Sequence, residues 1–209
     1  MCGKKNNNKA CGDDLVINEY NRSTTEKFIE LYEKLFNLIF QSGVISDSWL
    51  NGNMKPIYKN KGCKTDPQNF RPISCLGKVL TSILSERLTQ YSDEFLVLCE
   101  NQNGFLKGYS ILDNLFILHS LFNILKNKKK KLYCAFVDFA KAFDTVWRDG
   151  LWHKLLLNNI NGNMFNVIVN MYKDTKSRIV YKNSMSECYP CSNGVRQGEN
   201  LSRSSLLFF

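Results

Sequence analysis

The stretch Leu132-Tyr-Cys-Ala-Phe-Val-Asp-Phe-Ala-Lys-Ala-Phe-Asp144 contains an unbroken apolar run that ends at an aspartate. The run from Leu132 to Val137 carries no charge, which predicts a buried strand. Asp138 follows this strand directly, and Asp144 comes six residues later. A carboxylate at a strand end is held rigidly and can face a cleft, and phosphoryl transfer uses such groups to fix divalent ions. Most aspartates at strand ends are caps or solvated turn residues, so this stretch alone leaves both interpretations open.

Helical periodicity surrounds this stretch on both sides. Ser23 with Glu26 three places on forms a capping-box pattern, and apolar residues then recur at helical spacing as far as Gly43. Ser110 is predicted to cap another helix, with Asp113 placed favourably in its positive first turn. The remaining helices are predicted over residues 78–91, 151–157 and 164–172.

The signals for strands are sparse outside the apolar run. A short strand is predicted around Pro56-Ile-Tyr58, running into a basic loop that begins at Lys59. Residues 178–181 alternate towards a hairpin around Asn183-Ser184. Helices with few strands favour an α+β fold. Residues 1–22 are rich in Asn and Lys with little periodicity, which predicts an irregular N-terminal arm.

The composition bounds the class of protein. Its 209 residues, 44% of them hydrophobic, can bury a substantial core and suggest one domain or two small ones. A formal net charge of +9 favours polyanionic partners such as nucleic acid. No apolar run approaches the roughly 20 residues that a membrane span needs, and the polar start has no signal core. We therefore expect an intracellular protein of the cytoplasm or nucleus, with no membrane partner.

The 8 cysteines are scattered, and only the Cys188-Tyr-Pro-Cys191 pair has the short spacing of a metal or redox site. A zinc site would need a second pair of ligands nearby in space. Neither His119 nor His153 lies at a recognisable spacing from this pair. Ordinary reduced cysteines are therefore the favoured interpretation, and the role of the pair stays open.

Four motifs along the chain resemble, in their order, those of the reverse transcriptases of non-LTR retrotransposons. The resemblance runs from about Trp49 to Ser202. The motifs are Asn69-Phe-Arg-Pro-Ile-Ser74, Gln102-Asn-Gly-Phe105, Ala135-Phe-Val-Asp-Phe-Ala-Lys-Ala-Phe-Asp144 and Gly194-Val-Arg-Gln-Gly-Glu-Asn-Leu-Ser202.

This resemblance implies an RNA-directed DNA polymerase that uses two-metal nucleotidyl transfer, with a right-hand polymerase fold represented by fingers and a partial palm only. The implied division is an arm over residues 1–22, a fingers-like region over 23–131 and a partial palm over 132–209. The implied partners are an RNA template, a DNA primer, deoxynucleoside triphosphates and the remainder of a polyprotein. Without further palm strands, an apolar sheet edge and face would be exposed, which predicts poor solubility or dependence on a partner.

The motif around Asp138 implies the catalytic centre. Asp138 resembles the first catalytic aspartate, binding Mg²⁺ or Mn²⁺, with the backbone carbonyl of Phe139 assisting one ion. Phe143 resembles the aromatic gate that packs against the sugar and excludes a 2′-hydroxyl, although a core phenylalanine would fit the same amphipathic turn. Asp144 is expected to project away from the cleft, in a structural or capping role.

The other motifs imply contacts with the nucleotide. Lys59 and Arg71 resemble finger residues that clasp the triphosphate, where an Arg fork can pair two phosphate oxygens and a Lys acts as a point charge. Surface salt bridges are the alternative for both. Arg196, Gln197 and Gly198 resemble the turn that supports the templating base and the nucleotide, since Gly permits close backbone approach. Taken alone, the Gln-Gly pair would indicate only a turn.

Several positions depart from the family pattern. Leu106 stands where an Arg is usual after Gly-Phe, and Arg203 replaces an expected Pro. No aromatic-X-Asp-Asp motif follows Asp138, and Asp13-Asp14 has no flanking apolar strand. We therefore expect the 209 residues alone to be inactive and to bind metal weakly. The alternative function is a non-catalytic nucleic-acid-binding remnant, and a third is a basic helical interaction module that uses the lysine run of residues 126–131.

Overall fold

The computed structural model describes residues 23, 25–75, 78–99, 101–106, 108–182 and 184–208, so the predicted arm over residues 1–22 lies outside the described residues. Helices and strands are mixed, which confirms the α+β class. The helices are α1 (Glu26–Ser42), α2 (Asp47–Leu50), α3 (Lys78–Glu94), α4 (Ile111–Asn127), α5 (Arg148–Leu157), α6 (Gly162–Asn170) and α7 (Asn200–Leu206). The strands are β1 (Asn51–Tyr58), β2 (Phe70–Cys75), β3 (Lys176–Tyr181), β4 (Ser184–Met185) and β5 (Tyr189–Pro190).

The sheet joins distant parts of the chain. β1 lies between β2, its antiparallel neighbour, and β3, with which it runs parallel from Asn51 opposite Lys176 to Met54 opposite Ile179. β3 also pairs antiparallel with β4, which confirms the predicted hairpin, and with β5. The pairing of β1 with β3 crosses the proposed boundary between fingers and palm after residue 131. That division stays a prediction, and the two regions share one sheet.

The hydrophobic core lies among α3, α5, α6 and α7. Leucines of α3 and α5 are closed to solvent, and the loops before α5 and α7 add Val146 and Val195. The most completely buried apolar side chains are Leu84, Leu88, Leu151, Leu155, Val167, Ile168 and Leu201. This core supports the loops that carry the candidate site.

The predicted helices are confirmed, but one predicted start is wrong. α4 begins as expected, because the Ser110 Oγ accepts a hydrogen bond from the Leu112 N–H at 3.1 Å. α1 begins at Glu26 with Thr25 as its N-cap, and the side chain of Thr25 makes no capping bond. The capping box from Ser23 is therefore not the start of the helix. α1 ends at Gly43 as predicted, with φ +71° and its N–H donating to the Ile39 carbonyl at 2.8 Å.

The predicted buried strand over Leu132–Val137 is wrong. Residues 131–139 belong to no helix or strand, and Tyr133, Phe136 and Val137 are 85%, 83% and 81% exposed. A strand is stable only when its N–H and C=O groups bond to a neighbouring strand. Within the described residues no strand pairs with this segment. An apolar run indicates that its side chains favour burial, but it does not provide the neighbouring strand that a β-strand must pair with.

α4 shares this exposure. None of its described side chains is buried, although apolar residues occupy most of its surface. A helix that is apolar nearly all round is ordinarily enclosed by other elements. α4 and the 131–139 segment thus expose apolar surface on a helix and an irregular segment, whereas the expectation was an exposed sheet edge and face. Among the described helices, none is long and apolar enough to cross a membrane.

Candidate functional site

A cavity of about 600 Å³ lies where three loops meet. The first loop follows β1 and contributes Lys59; the second contributes Asp138 and Phe143; the third contributes Gln197. Its full lining is Lys59, Pro67, Gln68, Phe70, Arg71, Asp138, Phe139, Lys141, Ala142, Phe143, Asp144 and Gln197. The fold therefore brings most of the candidate residues named from the sequence to one space.

Two cations of the β1–β2 hairpin stand at the cavity. The N–H of Lys59 donates to the Asn69 carbonyl at 2.8 Å, which extends the antiparallel ladder one step beyond Tyr58 and Phe70. The ammonium of Lys59 donates to the Gln68 carbonyl at 2.8 Å. Arg71 lies on β2 opposite Ile57, and both Lys59 and Arg71 are exposed. The salt-bridge alternative has no support for this pair, because no ion pair of either side chain is present among the described residues.

The second loop packs Phe143 between the cavity and the core. The Asp144 N–H donates to the Lys141 carbonyl at 2.8 Å, which closes a turn around Lys141 at φ +54°. Phe143 is half-buried, packs against the core cluster and lines the cavity at the same time. Phe139 also lines the cavity but is largely exposed.

Asp138 and Asp144 both line the cavity, whereas Asp144 was expected to project away from it. The turn that begins at Lys141 reverses the chain towards the cavity. The sequence spacing of Asp138 and Asp144 does not reveal this reversal. Within the described residues no group of three His, Cys, Asp or Glu side chains is placed to hold a metal ion, and this includes Cys188 and Cys191. Two carboxylates beside Lys59, Arg71 and Lys141 do not fit a site that binds two divalent ions tightly.

The third loop is joined to the second by backbone contacts. The Val195 N–H donates to the Phe143 carbonyl at 2.7 Å, and the Gly194 N–H donates to the Val146 carbonyl at 3.0 Å. Gly194 has φ +77°, and a Cβ built on it would lie 2.6 Å from the Asp144 carbonyl oxygen. Only glycine fits this approach. Gly198 is exposed with φ +99° and does not itself line the cavity.

Arg196 lies beneath the turn and not at the cavity. Arg196 is only 8% exposed. Its Nη2 donates to the Leu50 carbonyl at 2.6 Å, and its Nη1 lies 3.8 Å from the Glu199 carboxylate. The sequence resemblance implied contact with the nucleotide. This placement does not support that contact, because Gln197 alone of the Arg-Gln-Gly triplet lines the cavity.

Arg148 is a residue of the site that sequence reasoning missed. Its Nε donates to the Gly194 carbonyl and its Nη1 to the Tyr172 carbonyl, both at 2.8 Å. Nη2 adds longer bonds of 3.3 Å to Thr175 and to the Asn193 carbonyl. Burial lowers the pKa of this guanidinium from its ordinary value, an effect that Tyr172 partly opposes. No motif signals this residue, because its partners are backbone carbonyls from segments distant in sequence.

A second cavity of about 580 Å³ adjoins the first across a wall formed by Pro67, Phe70 and Asp144. Its other lining is largely apolar and includes Ile179 and Tyr181.

Residues 57–208 match the family described as reverse transcriptase (RNA-dependent DNA polymerase). A probable RNA-directed DNA polymerase from transposon BS of Drosophila melanogaster is 27% identical over 198 residues, covering 92% of this chain and 22% of the relative. The probable polymerase from transposon X-element of the same species is 26% identical over 204 residues, 95% of this chain and 22% of the relative. A Pol polyprotein from a type-1 retrotransposable element R2 of Nasonia vitripennis is 28% identical over 176 residues, 83% of this chain and 17% of the relative. The chain thus spans about a fifth of the length of these curated relatives.

Proposed function

Because this chain belongs to the reverse transcriptase (RNA-dependent DNA polymerase) family, we propose that it forms the fingers and first palm segment of an RNA-directed DNA polymerase. The relationship to retrotransposon enzymes expected from the four motifs is confirmed by these matches. The proposed substrates are deoxynucleoside triphosphates, used on an RNA template with a DNA primer. The rest of the polymerase would be supplied by a longer polypeptide, since the chain covers about a fifth of its relatives.

The observation that carries this proposal is the single cavity that Lys59, Arg71, Phe143 and Gln197 share. Its volume of about 600 Å³ lies within the range of roughly 300–1,000 Å³ for small-molecule sites. The fingers cations lie in one wall, and the carboxylate of Asp138 comes from another segment. The three cations Lys59, Arg71 and Lys141 around the cavity support a ligand that carries phosphate.

Each cavity residue has a distinct proposed role. Arg71 can pair two phosphate oxygens through its planar fork, while Lys59 attracts the triphosphate as a point charge. Phe143 is held by the core behind it, so its ring can exclude a 2′-hydroxyl by contact. Gln197 supports the base or sugar, and Arg196 supports Gln197 from below without touching the nucleotide.

Asp138 is the proposed metal-binding and catalytic carboxylate, assisted by the Phe139 carbonyl. The family implies a divalent cation, Mg²⁺ or Mn²⁺, whose chemistry is the stabilisation of charge on transferring phosphoryl oxygens. The described residues supply too few carboxylates for tight binding of two such ions. We therefore propose that the 209 residues alone do not catalyse DNA synthesis.

The second candidate function, a nucleic-acid-binding remnant, is favoured by a different observation. The lysines between residues 126 and 131 are all exposed and lie at and beyond the end of α4. They form no part of the nucleotide cavity. A polyanion could bind there whether or not the polymerase site is functional.

Nucleotide titration tests the proposed function. A fluorescent deoxynucleoside triphosphate is titrated into the 209-residue protein, and the dissociation constant is compared with that of Arg71→Ala. Removal of a charge-assisted hydrogen bond to phosphate should raise the dissociation constant about tenfold or more. Arg203→Ala is the matched control, because Arg203 is an exposed arginine on α7 outside the cavity. Equal affinities for the wild type and Arg71→Ala would contradict the site.

A further inference from the structure

Asn69 closes the loop between β1 and β2 through contacts of its own. Its carbonyl accepts the Lys59 N–H at 2.8 Å, which joins the two ends of the loop. Its Nδ2 donates to the Cys63 carbonyl at 2.9 Å, which ties the middle of the loop to the same residue. Its N–H donates to the Asp66 carbonyl at 3.1 Å. One asparagine thus fixes the start, the middle and the end of the loop.

Gly62 is shaped to receive the Asn69 amide. It has φ +79°, and a Cβ built on it would lie 2.5 Å from the Asn69 Nδ2 and 2.7 Å from Cγ. Both the backbone conformation and the contact exclude a larger residue. The amide is therefore packed against the loop as well as hydrogen-bonded to it.

The residues on either side of Asn69 carry the phosphate-binding side chains. Lys59 is opposite Asn69 in the ladder, and Arg71 is two residues further along the chain, on β2. Both line the nucleotide cavity, whereas Asn69 does not. The Lys59 ammonium also donates to the Gln68 carbonyl, the residue just before Asn69. Any displacement of Asn69 therefore moves both cations.

We propose that Asn69 is a positioning residue that sets where Lys59 and Arg71 meet the triphosphate. This inference rests on the proposed function. A loop already fixed in its binding geometry loses little conformational freedom when the ligand binds, so affinity is retained. Without the Asn69 amide, the loop loses its tie at Cys63 but keeps its backbone bonds, so the ligand must restrict only the freedom gained by the middle of the loop. Loss of the Asn69 amide should weaken the contacts with the phosphates. It should leave unchanged the proposed contacts of the 138–144 and 194–198 segments with the base and sugar.

A purely structural role would predict a different pattern. Substitution of Asn69 would then lower thermal stability and weaken every ligand of the cavity alike. The discriminating quantity is the ratio of the dissociation constants for a deoxynucleoside triphosphate and its monophosphate, measured by competition against the fluorescent triphosphate. Only a positioning role changes this ratio while the midpoint of thermal unfolding stays near that of the wild type.

Two variants of the 209-residue protein separate the contributions. Asn69→Ala removes the amide, and Gly62→Ala disturbs the amide from the other side. Each should raise the triphosphate dissociation constant about three- to tenfold, the equivalent of one hydrogen bond, and leave the monophosphate constant unchanged. The matched control is Gly108→Ala, since Gly108 has φ +87° and nothing within 4 Å of a built Cβ. It carries the same backbone strain and should leave the ratio unchanged.

The outcomes distinguish this inference from the proposed function. If Arg71→Ala weakens triphosphate binding but Asn69→Ala and Gly62→Ala do not alter the ratio, Asn69 has no positioning role and the nucleotide site stands. If Arg71→Ala and Lys59→Ala also have no effect, both the site and the inference are overturned. If Gly108→Ala changes the ratio as much as Gly62→Ala does, the effect is general strain and the inference is likewise overturned.

Discussion

The phenolic hydroxyl of Tyr172 donates a hydrogen bond to the carboxylate of Glu199 at 3.1 Å, where both side chains are closed to solvent. Ser202 donates to the same carboxylate oxygen at 3.0 Å. The guanidinium groups of Arg148 and Arg196 lie over the Tyr172 ring, 5.3 and 5.5 Å from its centroid. This buried network joins the end of α6 to the turn that carries Gln197, so its integrity determines how that turn is presented.

Tyr172 gives stability a specific dependence on pH. Burial, followed by the charge of Glu199, raises the pKa of its hydroxyl above the ordinary value of 10.0. The unfolded chain releases this proton above about pH 10 while the folded chain keeps it, so the free energy of unfolding falls as pH rises from there. Tyr172→Phe should remove that part of the slope. At pH 7 it should lower the free energy of unfolding by about 1–2 kcal/mol, because Glu199 is deprived of a donor.

Urea unfolding between pH 7 and 11 measures this effect. Tyr133→Phe is the control, since Tyr133 is 85% exposed and should change neither the slope nor the stability. An alkaline slope that persists unaltered in Tyr172→Phe would contradict the assignment.

Binding of RNA should be weak, independent of sequence and strongly dependent on salt. The net charge of +9 and the exposed lysines between residues 126 and 131 favour contacts with phosphates, which release counterions. Replacing Lys128 to Lys131 with alanine should make the slope of log affinity against log salt shallower, by about 0.7 for each phosphate of single-stranded RNA that is no longer neutralised. Filter binding across a salt series measures it. An affinity for RNA that does not change with salt concentration would exclude binding through phosphate contacts. The control is the double variant Lys27→Ala with Lys34→Ala on α1.

Phe143 should govern the choice of sugar. Phe143→Val removes the ring that faces the cavity, so a ribonucleoside triphosphate should compete better against the fluorescent deoxynucleotide while the affinity for the deoxynucleotide changes less. Phe139→Val is the matched control, because Phe139 lines the same cavity but is largely exposed and is not packed against the core. Discrimination that is unchanged in Phe143→Val, or equally relaxed in both variants, would remove the gate assignment.

The purified 209-residue protein should not extend a primer on an RNA template with Mg²⁺ or Mn²⁺. Among the described residues, only the carboxylates of Asp138 and Asp144 line the cavity. Lack of a further metal-binding carboxylate would cost charge stabilisation of several kcal/mol, and each ~1.4 kcal/mol is tenfold in rate. Primer extension is measured beside an Asp138→Asn control. Extension that disappears in this control would mean that another carboxylate, such as Asp144, completes the site.

Five of the seven described α-helices could be predicted from the sequence because their signals are local, whereas α2 and α7 were not predicted. The cap at Ser110 and the stop at Gly43 act within one turn of the chain. The irregular conformation of residues 132–137 could not be predicted, because a strand depends on a neighbouring strand whose presence an apolar run does not reveal. The parallel pairing of Asn51 with Lys176 joins residues far apart in sequence and has no local signature.

The candidate site could be predicted in part. Motif order identified Lys59, Arg71, Phe143 and Gln197, which share one cavity. It did not anticipate that Arg196 is buried or that Asp144 lines the cavity, because burial and chain reversal depend on contacts such as those with Leu50 and Lys141. It could not find Arg148 or Tyr172. Their roles arise only when backbone carbonyls and carboxylates from separate segments meet in the folded chain.

A deoxynucleoside triphosphate is proposed to occupy the cavity between the β1–β2 hairpin and the 138–144 segment. The roles proposed for Lys59, Arg71, Phe143 and Gln197 depend on that occupancy. Photo-crosslinking with an azido-substituted deoxynucleoside triphosphate, followed by peptide mass spectrometry, locates the bound nucleotide directly. We expect labelling of residues 67–71 and 138–144 that unlabelled triphosphate competes away and that Arg71→Ala reduces. Labelling confined to α4 or to the lysines of residues 126–131 would contradict this placement.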